Sequence, residues 1–139
     1  MASKLGAIAT QILTDIKTTS VQKAQIGLSK YGNQFWPVAH VVFDGITADG
    51  DLNNVDDVTF NMRIMVQGNT FDETMTVLED LLILWEGNAK RTVLNGLGVL
   101  NIQPYLMEPP ATNEMYGDLE GYYGQIVFEL IVRFNYTSP

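Results

Sequence analysis

The acidic segment between residues 49 and 57 carries the one pattern in this chain that resembles a metal site. Its carboxylate and amide side chains stand at positions one, three, five and nine of a calcium-binding loop. These residues are Asp49, Asp51, Asn53 and Asp57. However, Asn54 occupies the position at which the sharp turn requires glycine, and Phe60 occupies that of the bidentate glutamate. We therefore expect a solvated acidic hairpin loop with no bound metal.

The sequence offers few residues for acid–base or nucleophilic catalysis. His40 is the one histidine and there is no cysteine, whereas nucleophilic catalysis needs a base beside a hydroxyl or thiol, and a third group that orients the base. The acidic residues lie mostly on predicted loops and one exposed helix face, where nothing would raise a carboxyl pKa. The Asn-Gly-Leu-Gly run at 95–98 is a turn pattern rather than a dinucleotide fingerprint. We expect a protein that is not an enzyme and holds no cofactor.

The composition favours a compact protein that acts by binding. The chain has 139 residues, 46% of them hydrophobic, which suits one domain over 1–139 with a proper core. Its net charge of -8 argues against general binding to nucleic-acid phosphates and against docking on anionic membranes. The lack of cysteine removes disulfide scaffolds and thiolate metal sites. Because the N-terminus lacks a secretion signal and no apolar run reaches about 18 residues, we expect a soluble protein made in a cytoplasm.

Hydrophobic spacing predicts the elements that must position any site. Apolar residues at helical spacing predict a first helix over 4–17, and strict alternation predicts strands over 58–67 and 126–136. The other expected elements are a connection at 18–33, a strand at 36–44, a helix at 70–85, a short helical or irregular piece at 89–94 and a strand at 99–107.

This element order predicts an α+β fold. The order α-β-β-α-β-β forms two hairpin-like pairs, so we expect a mostly antiparallel four-stranded sheet with helices packed on one face. Pro104 predicts an edge position or a bulge for the third strand. The last strand is the longest and should lie centrally in the sheet.

The helix at 70–85 is apolar over about half of its circumference, against the ~100° usual for a one-sided surface helix. Two neighbouring stripes produce this width. The first stripe, expected to face the chain's own sheet, consists of Phe71, Met75, Leu78, Leu82 and Trp85. The second stripe, expected to face a neighbouring subunit, consists of Val77, Leu81 and Leu84. The width of the apolar surface therefore predicts a protein that assembles.

The connection between the last two predicted strands is long for a hairpin. Long loops inside compact domains are usually functional or disordered, and Tyr and Met are enriched at protein interfaces. A contact loop for a partner is one interpretation, and a mobile acidic loop with incidental aromatics is the other. The residues proposed for contact are Met115, Tyr116, Tyr122 and Tyr123.

The opening helix, two antiparallel strands, strongly apolar second helix and two closing strands together resemble the tail terminator proteins of tailed phages. The resemblance is architectural and spans residues 5–136. It implies a homohexameric ring on the head-proximal end of a finished tail tube, which stops tube polymerisation and provides the docking surface for head–tail joining. The implied partners are other copies of the chain, the tail tube protein and a head completion or connector protein, and the implied location is the virion tail or neck after assembly in the host cytoplasm.

A ring requires an interface in which one patch meets a different patch of the neighbour. The candidates for its two halves are Val77, Leu81 and Leu84 on one side and the basic N-terminal residues Lys4 and Lys17 on the other. An acidic lumen would let DNA pass without specific binding. The candidate lumen residues are Asp49, Asp51, Asp72, Glu73, Glu79 and Asp80. The alternatives are another phage neck or head-completion connector protein, or a non-viral small ligand-binding α+β domain.

Overall fold

The computed structural model describes residues 3–29, 31–48, 57–112 and 121–134. Its centre is a five-stranded sheet in the spatial order β1-β2-β3-β5-β4. The first strand is parallel to the second, and all other neighbours are antiparallel. The strands are β1 Lys23–Ile26, β2 Val38–Ala48, β3 Asp57–Gly68, β4 Val99–Thr112 and β5 Tyr122–Arg133. The α+β class and the mostly antiparallel sheet are confirmed, but the predicted count of four strands and the order α-β-β-α-β-β are wrong, because β1 follows the first helix and a third helix follows the second.

The additional strand, β1, lies inside the segment that the sequence assigned to a connection. Its four residues, Lys-Ala-Gln-Ile, alternate between polar and apolar, but the run is too short to predict a strand, and only Ala24 is buried. A short polar strand at a sheet edge is stabilised mainly by its backbone pairing with β2, which hydrophobic periodicity does not report.

Three α-helices lie in the described residues: α1 Lys4–Ile16, α2 Phe71–Ile83 and α3 Asn88–Gly96; a 3₁₀ helix, Asn33–Phe35, precedes β2. The Ser3 hydroxyl accepts a hydrogen bond from the Gly6 N–H at 2.9 Å and so caps α1. The predicted capping pair of α2 is present, because the Glu73 N–H donates to the Thr70 hydroxyl at 3.1 Å. None of these helices is long and apolar enough to cross a membrane.

All three helices contribute to one core on one face of the sheet. Alternate residues of the two central strands point into it, as the period of two requires. The strand residues concerned are Val58, Phe60, Met62, Ile64 and Val66 of β3 and Ile126, Phe128, Leu130 and Val132 of β5. The helices cover them with Ile8, Ile12, Ile16, Val77, Leu78, Leu81 and Leu94. The predicted central place of the last strand is confirmed by its position between β3 and β4.

The buried face of α2 is rotated by about 60° from the face expected to pack on the sheet. Val77 and Leu81 have no exposed surface and pack in the chain's own core. Leu84 is partly buried against the same core, whereas Phe71 is 44% exposed. Val77 and Leu81 therefore belong to the interior of the subunit, which corrects their assignment to a neighbouring subunit.

Thr74 accounts for the rotation. It is fully buried at the centre of the face that packs on the sheet. Its hydroxyl donates to the Thr70 carbonyl at 2.9 Å, so the polar group is satisfied within the helix and can be buried at little cost. When the sheet-facing side of α2 is assigned from apolar residues alone, Thr74 is left out. The centre of the expected face then lies too close to Phe71.

Two side-chain clusters join the helical layer to itself and to the sheet. The buried Asp15 carboxylate of α1 accepts a hydrogen bond from the Trp85 indole N–H at 2.9 Å. The Arg91 guanidinium of α3 donates to the Trp85 carbonyl at 2.8 Å, to the Asn101 side-chain oxygen at 3.2 Å and to the Ile102 carbonyl at 2.9 Å. Arg91 thus connects the end of α2, α3 and β4.

Candidate functional site

None of the three α-helices in the described residues packs on the second face of the sheet, which we call the helix-free face. Cross-strand neighbours on this face form one mostly polar row and one mostly apolar row. One row consists of His40, Met65, Gln125 and Glu108, and the next consists of Val42, Arg63, Val127 and Leu106. The Arg63 guanidinium pairs with the Asp44 carboxylate at 2.9 Å across β2 and β3. The mixture of ion pairs and aliphatic side chains is typical of a surface that either meets solvent or contacts another protein.

A cavity of about 360 Å³ opens on the helix-free face, where the segment that follows β1 overhangs β2, β3 and β5. Its wall is mostly apolar and includes a few polar side chains. The lining residues are Leu28, Ser29, His40, Met65, Val66, Gln67 and Tyr123. A mostly apolar concave site with a few polar groups is suited to one amphipathic ligand group or side chain.

His40 forms a fixed part of this wall. Its side chain is 6% exposed, its Nδ1 lies 3.3 Å from the Gln25 amide nitrogen, and its ring stacks on Tyr31 with centroids 6.0 Å apart. Burial lowers the pKa of His40 below 6.5, and a hydrogen bond with the Gly27 backbone opposes that effect. The imidazole is therefore neutral at pH 7 and contributes a hydrogen-bonding group without a charge.

The opposite wall contains a second polar pair. The Gln67 amide nitrogen donates to the Tyr123 hydroxyl at 2.5 Å, which joins β3 to β5. Burial raises the pKa of Tyr123 above 10.0. The phenol therefore stays protonated at physiological pH, so this wall too is neutral.

An aromatic cluster borders the cavity on the side of β1. The Lys23 ammonium lies 4.4 Å from the centroid of the Tyr31 ring and 5.2 Å from that of Phe35. The two rings contact each other edge to face at 5.7 Å. Cation–π contacts of this kind place a positive charge beside the cavity. Lys23 has no carboxylate partner among the residues that the structure describes.

Six of the nine exposed large hydrophobic residues in the described part of the chain lie on or near the two edge strands, and the other three lie on α2 and α3. At one edge Ile26, Leu28 and Phe35 form what we call the β1-edge patch. At the other edge Leu100, Tyr105 and Leu106 form the β4-edge patch. Leu28 is 61% exposed and Tyr105 is 55% exposed. Each edge therefore exposes apolar surface that a partner could bury.

Bulges in β4 produce its exposed side chains. The pairing with β5 shifts between Val99 and Asn101 and again between Pro104 and Leu106. Leu100 and Tyr105 are the residues skipped by the ladder, so their side chains are re-aimed away from the regular pleat. The sequence predicted an edge or a bulge from Pro104, and both are present.

The α2 residues proposed for an acidic lumen differ in their exposure and in their hydrogen bonds. Asp72 and Glu79 are exposed on α2. The Glu73 carboxylate instead accepts a hydrogen bond from the Asn69 N–H at 2.6 Å, and the Asp80 carboxylate accepts one from the Ser20 hydroxyl at 3.0 Å. Two of the four α2 acids therefore have structural roles within the subunit.

The calcium-loop pattern and the contact loop lie largely outside the described residues. This applies to Asp49, Asp51, Met115 and Tyr116. The described end of the acidic segment is Asp57, whose carboxylate accepts two hydrogen bonds from the Arg133 guanidinium at 2.9 and 3.2 Å. The described residues contain no group of three potential metal ligands.

Two predicted contact residues belong to a strand. Tyr122 and Tyr123 start β5, and Tyr123 lines the cavity, rather than extending from a loop. Of the two basic residues proposed for an interface, Lys17 is exposed after α1. Lys4 is partly buried and packs beside the turn that precedes β4: a Cβ added at Gly98 would lie 2.5 Å from Lys4 Cε.

The sequence does not predict the cavity or either edge patch. The cavity depends on the pairing of β1 with β2, which brings Leu28 and Ser29 over β3 and β5. One sequence feature indicates an irregular edge near the β4-edge patch, because Pro104 interrupts the alternation immediately before Tyr105.

No protein-family model matches this chain, and no curated protein shows significant similarity to it. The functional conclusion therefore depends on the residues and geometry described above.

Proposed function

We propose that this chain is the subunit of a homohexameric ring that sits on the head-proximal end of a phage tail tube. The ring ends tube polymerisation and presents the docking surface for head–tail joining. Its partners are further copies of the chain, the tail tube protein and a head completion or connector protein. The observation that supports this function best is the presence of different apolar patches at the two opposite edges of one sheet.

A ring of identical subunits needs two different, complementary surfaces on each subunit. The β1-edge patch and the β4-edge patch differ in residues and lie at opposite ends of the strand order. Contact between one patch and the other repeats around a closed ring, whereas a two-fold dimer would use one patch twice. Each contact of standard size would bury about 800 Å² per partner.

The charges near the two edges are also complementary. Lys23 lies beside the β1-edge patch, and Glu108 is an exposed residue of β4. Neither forms an ion pair within the part of the chain that the structure describes. Opposite charges on the two surfaces favour their association and disfavour the pairing of either surface with itself.

The acidic balance of the chain suits a channel for DNA. A net charge of -8 disfavours binding to phosphates, because association with DNA is driven largely by the counterions that Lys and Arg release. Asp72 and Glu79 are the exposed α2 acids that we assign to the lumen. Changing both to Lys should slow DNA passage while the ring persists. Unchanged DNA delivery by such a virion would refute the lumen assignment.

The decisive experiment measures assembly and tube capping together. Native mass spectrometry and negative-stain micrographs should show a ring of six, and adding the protein to polymerising tail tube protein should shorten the tubes. The Leu100→Asp variant should weaken the ring and the capping, because it charges the β4-edge patch. The matched control is Ile83→Asp, since Ile83 is 59% exposed on α2 and belongs to neither edge. A protein that stays monomeric and leaves tube length unchanged would refute the proposed function.

The cavity supports a second candidate function, that of a small ligand-binding domain. Its volume of about 360 Å³ lies within the range of small-molecule sites. This function predicts a monomer in which Leu100→Asp has no effect and a bulky side chain at Ser29 abolishes ligand binding. A connector protein of the neck would instead form a ring but bind the head side and leave tube length unchanged.

A further inference from the structure

We propose that the cavity beside His40 receives the Tyr105 side chain of a second copy of this chain. This inference rests on the proposed ring and specifies its contact: the β4 edge of one subunit supplies the side chain, and the β1 side of the next supplies the cavity. The subunit interface is thus centred on a tyrosine inserted into a neutral, mostly apolar recess.

The chemistry of the cavity matches a tyrosine. Met65 and Leu28 provide apolar surface for an aromatic ring, and the Tyr123 hydroxyl, which accepts a hydrogen bond from Gln67, retains a proton to donate to another hydroxyl. A buried tyrosine needs both, since its ring is apolar and its hydroxyl requires a partner. A cavity of about 360 Å³ is large enough for one such side chain together with part of its neighbour.

Tyr105 is available for this contact. It is 55% exposed, and it lies at a bulge where the pairing of β4 with β5 skips one residue. Its phenol makes no hydrogen bond within the described residues. Aromatic side chains exposed on a rigid strand lose little conformational entropy on binding and often dominate interface energies.

The directions of the strands bring these two features together in a head-to-tail contact. Since β1 is parallel to β2 while each later neighbour is antiparallel, β1 and β4 run in opposite directions. A second copy in the same orientation, with its β4 against Leu28 and Ser29 at the mouth of the cavity rather than paired in plane with β1, therefore has its β4 antiparallel to β1. Glu108 then approaches the Lys23 side of the cavity, where it meets opposite charge.

The prolines of β4 explain why a side chain, rather than a continuous strand ladder, makes the contact. Pro104, Pro109 and Pro110 lack backbone N–H groups, and β4 has three register shifts along its length. Such an edge resists indiscriminate strand pairing. It leaves projecting side chains as the means of specific attachment.

Cysteine cross-linking tests this contact directly, because the natural chain contains no cysteine. Ser29→Cys and Tyr105→Cys would be made as separate variants and mixed with a short bismaleimide at a concentration more than about 10-fold above that at which the natural chain assembles, which offsets the loss of the Tyr105 ring. The mixture should give cross-linked dimers, and a chain that carries both cysteines should give a ladder up to six subunits. Neither single variant should cross-link, because like positions do not meet in a head-to-tail contact. The matched control replaces Ser29→Cys with Ile83→Cys and should give no product with Tyr105→Cys.

The outcomes separate this contact from the proposed function. A hexamer without Ser29–Tyr105 cross-links would overturn the contact and leave the ring standing. Cross-linked dimers without a closed ring would support the contact and overturn the ring. Cross-linking of either single variant would show a symmetric dimer and refute the contact. Independently, Tyr105→Ala should raise the dissociation constant at least about 10-fold, as expected for a central anchor, and Tyr105→Phe by less.

Discussion

The replacement Leu81→Ala distinguishes a core role for α2 from an assembly role. Leu81 has no exposed surface and packs with Phe128 and Leu130 in the same core cluster. Removing a fully buried leucine side chain loses its transfer free energy and leaves a cavity, so the free energy of unfolding should fall by about 3 to 4 kcal/mol. For a urea m-value of about 2 kcal/mol per molar, the unfolding midpoint should fall by about 1.5 to 2 M.

Urea titration followed by circular dichroism measures this effect. Because association would raise apparent stability, each variant should be compared at low protein concentration and in the Leu100→Asp background. The control is Ile83→Ala on the exposed side of the same helix, which should change the free energy of unfolding by about 0.5 kcal/mol or less. A stable Leu81→Ala variant that loses only its oligomeric state would refute the core assignment and restore Leu81 to an interface.

Three further predictions concern packing and pH. Gly124→Ala should lower the free energy of unfolding by about 1 to 3 kcal/mol, because the added Cβ would lie 2.5 Å from Leu78 Cδ1. The control Gly87→Ala meets open space and should leave the free energy of unfolding nearly unchanged in the same urea titration. Arg133 holds the pKa of Asp57 below 3.8. The pair therefore stabilises the fold above about pH 4, and this stabilisation is lost as the pH falls through the lowered pKa. Arg133→Gln should return the Asp57 pKa toward 3.8 in an NMR titration. Burial holds the pKa of His40 below 6.5, so stability should decline as the pH drops below 6.5, and His40→Gln should remove that slope in urea midpoints measured from pH 5 to 8.

The parts of the fold that the sequence predicts are those with a periodic apolar pattern. In β3 every even-numbered residue from Val58 to Val66 is buried, and the alternation was visible without the structure. The N-cap at Thr70 is predicted equally well, because its partner Glu73 stands three positions later. Local patterns of this kind report local geometry reliably.

The features that the sequence did not predict depend on contacts between distant segments. β1 pairs with β2 through backbone groups that carry no side-chain signature, so the cavity beneath Leu28 could not be anticipated. The orientation of α2 depends on Thr74, which can be buried because its hydroxyl lies 2.9 Å from the Thr70 carbonyl of its own helix and 3.5 Å from the Tyr122 carbonyl of β5. A helix face assigned from apolar residues alone leaves out a buried threonine such as Thr74.

The hydrogen bonds of Arg91 have a consequence for how the subunit opens. One guanidinium holds a carbonyl after α2, an amide oxygen of β4 and a carbonyl of β4. Detaching α3, which carries Arg91, from the rest of the subunit would therefore break all three bonds at once rather than one after another. In hydrogen exchange, the amides of α3 and of the first half of β4 should behave as one cooperative unit with a single opening free energy.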